Sequence, residues 1–275
     1  MKKIKIITDT TSYIKKEYAE RNDISVVKLN YTFDGVTFSE GFPGEFDEFF
    51  YKLANTKLFP TTSQPSTGEF VEEFTKALEE GYESIIVILL SSKLSGTYSN
   101  AMLARNMLED ERITIIDSEQ AASNLRFLVE DAINMVKSGK TREEIVNHIE
   151  KKKKDMSIYL TVDTLEYLKR GGRLSGVQSV IGDVLNIKPI IMLNDGELKL
   201  MEKVRGKSKA VSNIVERIPD NVNKISICHV LNDIEAQKLK ETIEQRFNNA
   251  DIFIDELGPV IGCHIGPKAI GICFY

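Results

Sequence analysis

Hydroxyl side chains are concentrated in two short segments, and these are the residues best suited to hold an anion. The first segment is Thr61-Thr62-Ser63, and the second is Ser91–Thr97, which contains three serines, a glycine and a threonine. Hydroxyl groups rotate to donate or accept hydrogen bonds. The first N–H groups of a following helix have no internal partner and lie at the positive end of its dipole. A carboxylate or a phosphate is the ligand that such a place would hold.

The elements around Ser91–Thr97 indicate where these donors lie. Ile85–Leu90 is an uninterrupted apolar run, typical of a strand buried on both faces of a parallel sheet, and a helical pattern begins near Met102. The serines therefore follow a strand and precede a helix, where open α/β sheets bind their ligands. The same hydroxyls could instead serve only to cap the helix. The sequence leaves both interpretations open.

His264 is the one residue that could activate a serine of these segments. It lies between Gly262 and Gly266, in a stretch that we expect to be a loop where backbone approaches a ligand closely. A nucleophilic serine needs an adjacent base. Ser95 with His264 would make an acyl or phosphoryl hydrolase, although the GxSxG turn that supports many such serines is missing.

Other catalytic and cofactor motifs are absent from the sequence. Gly206-Lys207-Ser208 ends like a phosphate-binding loop, but Met201 stands where its first glycine is required, and no GxGxxG follows a predicted strand. His148, His229 and His264 are far apart and form no HExxH motif, and the three cysteines lack metal-ligand spacing. We therefore expect neither a metal nor a cofactor.

Composition narrows the class of protein. The 275 residues are 42% hydrophobic and 28% charged, which is typical of a globular protein, and the net charge of −5 argues against broad nucleic-acid binding. The opening MKKIKIITDTTS predicts a first strand rather than a signal peptide. No apolar run has the length of a membrane span. The expectation is a cytoplasmic protein with reduced cysteines and no stable membrane insertion.

The order of predicted elements indicates an α/β fold with two domains. Strands and helices alternate over residues 1–156, which predicts a mostly parallel sheet covered on both faces. Three of its strand ends, after Thr8, Leu90 and Ile116, carry hydroxyl clusters. Residues 157–275 predict an α+β domain with a mostly antiparallel sheet, including a hairpin with Asp195-Gly196 at its turn.

Six short segments, in this order, make the whole chain resemble the DegV family. The segments are Thr8-Asp9-Thr10-Thr11-Ser12, Thr61-Thr62-Ser63-Gln64-Pro65-Ser66, Leu90-Ser91-Ser92-Lys93-Leu94-Ser95-Gly96-Thr97, Gly172-Arg173-Leu174-Ser175-Gly176, Ile187-Lys188-Pro189 and Gly258-Pro259-Val260-Ile261-Gly262-Cys263-His264. The resemblance implies two α/β domains with one long-chain fatty acid, such as palmitate, stearate or oleate, in a buried tunnel between them. It also implies a binding subunit of bacterial fatty acid kinase rather than an enzyme. A separate ATP-binding subunit would convert the bound carboxylate to acyl phosphate for phospholipid synthesis.

The resemblance also assigns residues. By this match, the carboxylate would be bound by Thr62, Ser95, Gly96 through its N–H group, and His264, with Ser63 and Ser92 as further members. Arg205 matches a surface arginine tied to the kinase interaction, and Arg173 matches the arginine of the glycine loop. Cys263 and Ile265 depart from the small or hydroxylated residues that many relatives have beside the histidine, so the head-group pocket is expected to differ there.

Overall fold

The computed structural model describes residues 4–56, 58–173 and 186–275. Leu174, Ser175 and Gly176, the end of the glycine-loop segment, lie outside the described residues. In chain order the strands are β1 Ile4–Asp9, β2 Ile24–Val27, β3 Asn30–Phe33, β4 Val36–Ser39, β5 Thr61–Ser63, β6 Ser84–Leu89, β7 Ile113–Asp117, β8 Ser157–Thr161, β9 Ile187–Asn194, β10 Glu197–Arg205, β11 Lys224–His229, β12 Asp251–Glu256 and β13 Ile270–Phe274. The α-helices are α1 Lys16–Arg21, α2 Asp47–Asn55, α3 Thr67–Glu79, α4 Thr97–Leu108, α5 Ala122–Lys137, α6 Arg142–Lys152, α7 Glu166–Arg170, α8 Lys207–Glu216, α9 Asp233–Arg246 and α10 Pro259–Ile265.

The first sheet is parallel, in the order β2-β1-β6-β7. Strand β6 is one of its two inner strands, and its successive side chains point to opposite faces of the sheet. Because helices cover both faces, β6 is buried on both sides. Ile85 and Val87 pack against α3 and α4, whereas Ile86 and Ile88 pack against α5 and α6. This arrangement confirms the parallel, doubly covered sheet expected from the apolar run.

The second sheet has the order β10-β9-β8-β13-β11-β12, and only its β11–β12 pair is parallel. The mostly antiparallel sheet expected after residue 156 is therefore confirmed, as is the β9–β10 hairpin with Asp195 and Gly196 at positive φ. Helices α8 and α9 cover one face of this sheet. The other face, which carries Ile158 and Leu160, turns toward the first half of the chain.

A third, small sheet has the order β4-β3-β5. A hairpin with its turn at Asp34-Gly35 joins β3 and β4, and both turn residues have positive φ. Strand β5 pairs with β3 in antiparallel register, with Tyr31 opposite Thr62. The pairing that fixes Thr62 joins two segments that are far apart in the chain, so it was not foreseen from the sequence.

After β1, Thr10–Ser12 form a 3-10 turn in which the Ser12 hydroxyl donates to the carbonyl oxygen of Asp9, and α1 begins at Lys16. One local expectation is wrong. His264 lies not in a loop but in the last turn of α10. Proline is tolerated in the first turn of a helix and glycine commonly follows the last one. The glycines and proline that suggested a loop therefore mark the two ends of a short helix.

Candidate functional site

A cavity lies between the inner face of the second sheet and the loops that follow the parallel strands. It encloses about 1050 Å³ of empty space, its open mouth included. Leu29 follows β2, Leu90 follows β6, and Ala121 follows β7, so the loops at the carboxyl ends of these strands form one wall. The largely apolar lining also includes Ala122, Ile158, Leu160, Leu168, Leu193, Cys228, Leu257, Val260, Ile261, Ile265, Ile270, Gly271 and Cys273.

Polar side chains are gathered at one end of this cavity. They come from four separate parts of the chain and are Thr62, Ser63, Gln64, Ser95, Arg173 and His264. The structure thus brings the two hydroxyl segments and the histidine to one place, although 202 residues separate Thr62 from His264. The remaining candidates, Ser92 and Gly96, line an adjoining cleft rather than the apolar cavity.

Thr62 and His264 form the central contact of the polar end. The Thr62 Oγ1 and His264 Nε2 atoms are 2.8 Å apart and share a hydrogen bond. The pairing of β5 with β3 fixes Thr62, and the last turn of α10 fixes His264. In the tautomer whose Nε2–H donates to the Thr62 hydroxyl, that hydroxyl can turn its own proton toward an incoming oxyanion.

The ring of His264 is neutral at physiological pH. Burial, together with the positive charge of Arg173, lowers the pKa of His264 to about 4. Its Nδ1 atom is buried and has no hydrogen-bond partner among the described residues. That atom lies against Gly171, where any side chain would collide with the ring. No carboxylate in the described part of the chain therefore orients this histidine as a catalytic base.

Ser95 is engaged locally at the start of α4. Its Oγ lies 2.8 Å from the Thr97 Oγ1 and accepts a hydrogen bond of 3.3 Å from the Thr97 N–H group. Gly96 is the N-cap of this helix and lies against the amide of Gln64, which a Cβ at Gly96 would strike. The Ser95 hydroxyl therefore supports the helix start and lines the cavity at once, so capping and ligand binding do not exclude each other.

Arg173 contributes positive charge at the polar end. Its Nε donates to the carbonyl oxygen of Leu94 at 3.0 Å, and another guanidinium nitrogen donates to the carbonyl of Gly171. Burial lowers the pKa of Arg173, and no carboxylate in the described ranges contributes to that shift. A partly desolvated guanidinium without a carboxylate partner favours an anion beside it.

A polar cleft of about 590 Å³ adjoins the cavity. Four residues line both spaces and form the junction between them: Leu94, Ser95, Arg173 and Leu198. Ser92 and Gly96 lie in this cleft, with Lys93, Gly172 and Glu197, and the Ser92 N–H group donates to Asp117 at 3.1 Å. An anion held at Ser95 would therefore be reached from solvent through a polar passage rather than through the apolar wall.

Arg205 does not join this group. It is exposed at the last position of β10 and lines neither the cavity nor the cleft. Leu198, at the junction, lies seven positions earlier, which is about 23 Å along a strand. The surface location expected for Arg205 is what the structure shows, but the two arginines, Arg173 and Arg205, lie in different places.

Sequence reasoning missed several residues around the site. Gln64 directly follows the first hydroxyl segment, and a polar side chain continuing that segment was the available signal. Asp9 and Glu40 are fully buried acids behind the site. Asp9 belongs to a hydroxyl-rich strand end, whereas Glu40 carried no signal in the sequence because nothing local indicates its burial.

Comparison with known proteins identifies the family of this chain. Residues 3–275 match the family model described as "Uncharacterised protein, DegV family". The chain belongs to the DegV family. This DegV-family chain is 36% identical over 280 residues to a DegV domain-containing protein of Halalkalibacterium halodurans, covering 100% of this chain and 99% of that relative.

Solved DegV structures share the fold. The crystal structure of DegV from Bacillus subtilis, described as a fatty acid binding protein, superimposes with a TM-score of 0.89 at 33% identity, covering 100% of this chain and 99% of that chain. The Fak B3 protein of the Streptococcus pneumoniae fatty acid kinase, loaded with linoleic acid, has a TM-score of 0.84 at 22% identity, with 99% of each chain covered, a likeness of fold alone. Among the described residues, no helix is long and apolar enough to cross a membrane, and no three His, Cys, Asp or Glu side chains group as a metal site.

Proposed function

We propose that this chain binds one long-chain fatty acid, such as palmitate, stearate or oleate. The observation that carries the proposal is a cavity that is apolar over most of its lining and polar at one end, where hydroxyls, a neutral imidazole and a guanidinium meet. A fatty acid has the matching chemistry, an apolar tail with a single anion at its end. The fatty-acid binding described for the B. subtilis DegV protein supports the same choice.

The head group would lie where Thr62, Ser95 and His264 converge. The hydroxyls would donate to the carboxylate oxygens, His264 would orient the Thr62 hydroxyl by donating to it from Nε2, and Arg173 would balance the charge. Ser63, beside Thr62, would complete this shell on the cavity side, and Ser92 and Gly96 would complete it on the side of the cleft.

The tail supplies the larger part of the binding energy. About 15 methylenes at ~0.8 kcal/mol each give ~12 kcal/mol of gross transfer free energy. Association and ordering of the chain cost several kcal/mol of this. The remainder still suffices for tight retention, so the polar end need only position the carboxylate.

The second part of the proposal is that the bound carboxylate is presented to a separate ATP-dependent kinase subunit and becomes acyl phosphate for phospholipid synthesis. The polar cleft supports this, because it would give a partner protein access to the carboxylate at Ser95 while the tail stays buried. The resemblance of the sequence to kinase-associated members supports it as well. Arg173 and Arg205 would contact the kinase, and the two domains, divided at residue 156, would enclose the tunnel in a cytoplasmic protein.

The geometry disfavours the alternative, a serine hydrolase. Ser95 is hydrogen-bonded to Thr97, and His264 is hydrogen-bonded to Thr62. Within the described residues the structure shows neither a bond between the Ser95 hydroxyl and the His264 ring nor an acid that orients the ring. A Ser-His-acid mechanism uses both contacts, so this arrangement favours binding over hydrolysis.

Mass spectrometry of co-purified lipid tests the fatty-acid proposal. Freshly purified protein is denatured, its lipid extract is analysed, and delipidated protein is titrated with radiolabelled palmitate. One fatty acid per chain is expected in both measurements. An empty extract together with no binding of palmitate, stearate or oleate would overturn the proposal.

The kinase half has its own test. Palmitate-loaded protein is mixed with ATP and the fatty acid kinase catalytic subunit of the same cell, and acyl phosphate is trapped as the hydroxamate. Formation of palmitoyl hydroxamate that requires all three components is the expected result. Loaded protein that forms none would restrict the function to fatty-acid binding.

A further inference from the structure

Two buried acids with no part in ligand contact lie behind the carboxylate site. The first is Asp9, at the end of β1, and it has no exposed surface. Its Oδ1 accepts hydrogen bonds from the Thr11 N–H at 2.9 Å and the Thr11 hydroxyl at 2.5 Å, and its Oδ2 accepts from the Leu90 N–H at 2.8 Å. Leu90 immediately precedes Ser91–Gly96, the serine loop, which contains Ser95. Asp9 therefore fixes the backbone at the start of this loop.

The second acid is Glu40, which follows β4 and is also fully buried. Its Oε1 accepts a hydrogen bond of 2.8 Å from the Val260 N–H, in the first turn of α10 and 220 residues away in sequence. A Cβ built on Gly258 would lie 2.7 Å from the same oxygen, so only glycine permits this approach. His264 lies one turn further along α10, so Glu40 holds the start of the helix that presents the histidine.

The two acids belong to one hydrogen-bonded unit. Leu29 joins them: its N–H donates to the Thr10 hydroxyl at 3.2 Å, and its carbonyl accepts from the Glu40 N–H at 2.8 Å. Thr10 is adjacent to Asp9 in the chain, and Leu29 itself lines the cavity. The turn after β1 is therefore linked by hydrogen bonds to the start of the serine loop through Asp9, and to α10 through Leu29 and Glu40.

Burying two carboxyl groups is costly unless their contacts compensate. Desolvation raises the pKa of Asp9 to about 6 and that of Glu40 to about 8. At neutral pH Asp9 is thus mostly ionised, with three donors around it, whereas Glu40 is mostly a neutral acid. In return, each acid accepts a hydrogen bond from a backbone N–H group, Asp9 from Leu90 before the serine loop and Glu40 from Val260 in the first turn of α10.

We propose that Asp9 and Glu40 are positioning residues for the carboxylate site: Asp9 fixes the serine loop through the Leu90 N–H, and Glu40 fixes the His264 helix through the Val260 N–H. The inference rests on the proposed fatty-acid function. It gives a role to the Thr8–Ser12 segment, which contacts no ligand-binding side chain directly. Neither acid is expected to touch the fatty acid.

The two acids should respond differently to amide substitution. Asp9 uses both oxygens as acceptors, so Asp9→Asn turns an NH₂ group toward one of its donors. Glu40 at neutral pH accepts with one oxygen and is protonated on the other, which Glu40→Gln reproduces. We expect Asp9→Asn and Glu40→Ala to raise the dissociation rate of radiolabelled palmitate about tenfold or more, and Glu40→Gln to leave it within about threefold.

A matched control separates positioning from loss of a helix cap. Glu144→Ala removes a carboxylate that accepts the Thr141 N–H at 2.9 Å at the start of α6, outside both the cavity and the cleft. It should leave palmitate retention unchanged. Equal weakening by Glu144→Ala and Glu40→Ala would mean a general stability effect and would overturn the proposal.

Double variants show whether Asp9 acts through the serine loop and Glu40 through helix α10. If Glu40 acts through His264, Glu40→Ala should change retention less than about twofold when His264→Ala is already present. Asp9→Asn should likewise add little to Ser95→Ala. Full additivity in both pairs would overturn the assignment. Where Glu40→Ala does not fold, Glu40→Asp, one methylene too short to reach Val260, takes its place, and Thr11→Val takes the place of Asp9→Asn.

NMR of the His264 ring gives a readout that needs no lipid. In the lipid-free protein, Glu40→Ala should move the pKa of His264 from about 4 toward its ordinary value, while Glu40→Gln and Glu144→Ala leave it in place. An unmoved His264 in a folded Glu40→Ala protein would refute the role of Glu40. Wild-type protein that binds no fatty acid would refute the proposed function, and the ring measurement would still decide whether Glu40 positions the helix.

Discussion

The apolar and polar ends of the cavity differ in the number of residues that form each and in the kind of contact those residues make. The apolar part of the cavity, the tail region of the proposed complex, is lined by more than a dozen apolar side chains. Each of them adds contact area but no directional contact. The polar end depends on a few directional contacts, chiefly those of Thr62, Ser95 and His264. Hydrophobic transfer scales with area and has no preferred geometry, whereas a hydrogen bond fails when one partner moves.

The difference predicts where each end is vulnerable. Replacing one apolar residue by another of similar size should change retention little, because its neighbours keep the tail out of water. At the polar end each partner is hard to replace, and its position depends on groups behind it such as Asp9 and Glu40. Only a change of polarity should make the tail region as sensitive as the head-group end.

The largest effect is therefore expected from a charge placed in the tail region. Leu193 is buried in β9 and lines the cavity, so Leu193→Asp should lower palmitate affinity more than about 100-fold, since an unpaired charge would face the tail. Met192→Asp, on the other face of the same strand, is the matched control and should keep binding. The measurement is equilibrium binding of radiolabelled palmitate to the two folded variants. Retained binding in Leu193→Asp would mean that the tail does not lie beside Leu193.

The next effect concerns the hydroxyls. Thr62→Ala or Ser95→Ala should each weaken palmitate binding by about 1–3 kcal/mol, because a hydrogen bond to a charged group is lost. Thr62→Ala also leaves His264 without its 2.8 Å partner. Ser99→Ala, an exposed serine further along α4, is the control and should have no effect. Unchanged affinity in the Thr62, Ser95 double variant would remove both residues from the site.

The sequence predicted the parts of the fold that local pattern decides. The apolar run of β6 and the Asp195-Gly196 hairpin both appear in the structure, because periodicity and turn chemistry act over a few residues. The candidate site was predicted as two hydroxyl segments and one histidine, and the structure brings Thr62, Ser95 and His264 to one end of the cavity.

What the sequence did not predict depends on distant contacts. His264 was expected in a loop because glycine and proline look alike in loops and at helix ends, and only packing of Val260 and Cys263 into the interior decides for a helix. The pairing of β5 with β3 and the burial of Glu40 likewise come from segments far apart in the chain. No local pattern encodes such contacts.

The support behind the polar end has a pH signature of its own. Because burial raises the pKa of Glu40 to about 8, the folded protein binds that proton more tightly than the unfolded chain does. Its contribution to stability is complete below the ordinary glutamate pKa and is lost as pH rises through about 8. Urea unfolding should show a loss of about 2 kcal/mol between pH 6.5, where Asp9 is already mostly ionised, and pH 8.5, and Glu40→Gln should lack that loss. Parallel curves for the two proteins would show that Glu40 is ionised in the fold.

The smallest effect on binding is expected furthest from the cavity. Arg205 is exposed at the end of β10, so Arg205→Ala should leave palmitate affinity within about twofold while slowing acyl phosphate formation by the kinase subunit. Arg173→Ala, at the junction of cavity and cleft, should weaken both binding and phosphorylation because it removes charge beside the carboxylate. Palmitate titration and the hydroxamate assay measure the two effects separately. Loss of binding in Arg205→Ala would place that arginine in the site, and equal phosphorylation rates would leave it without a part in the interaction.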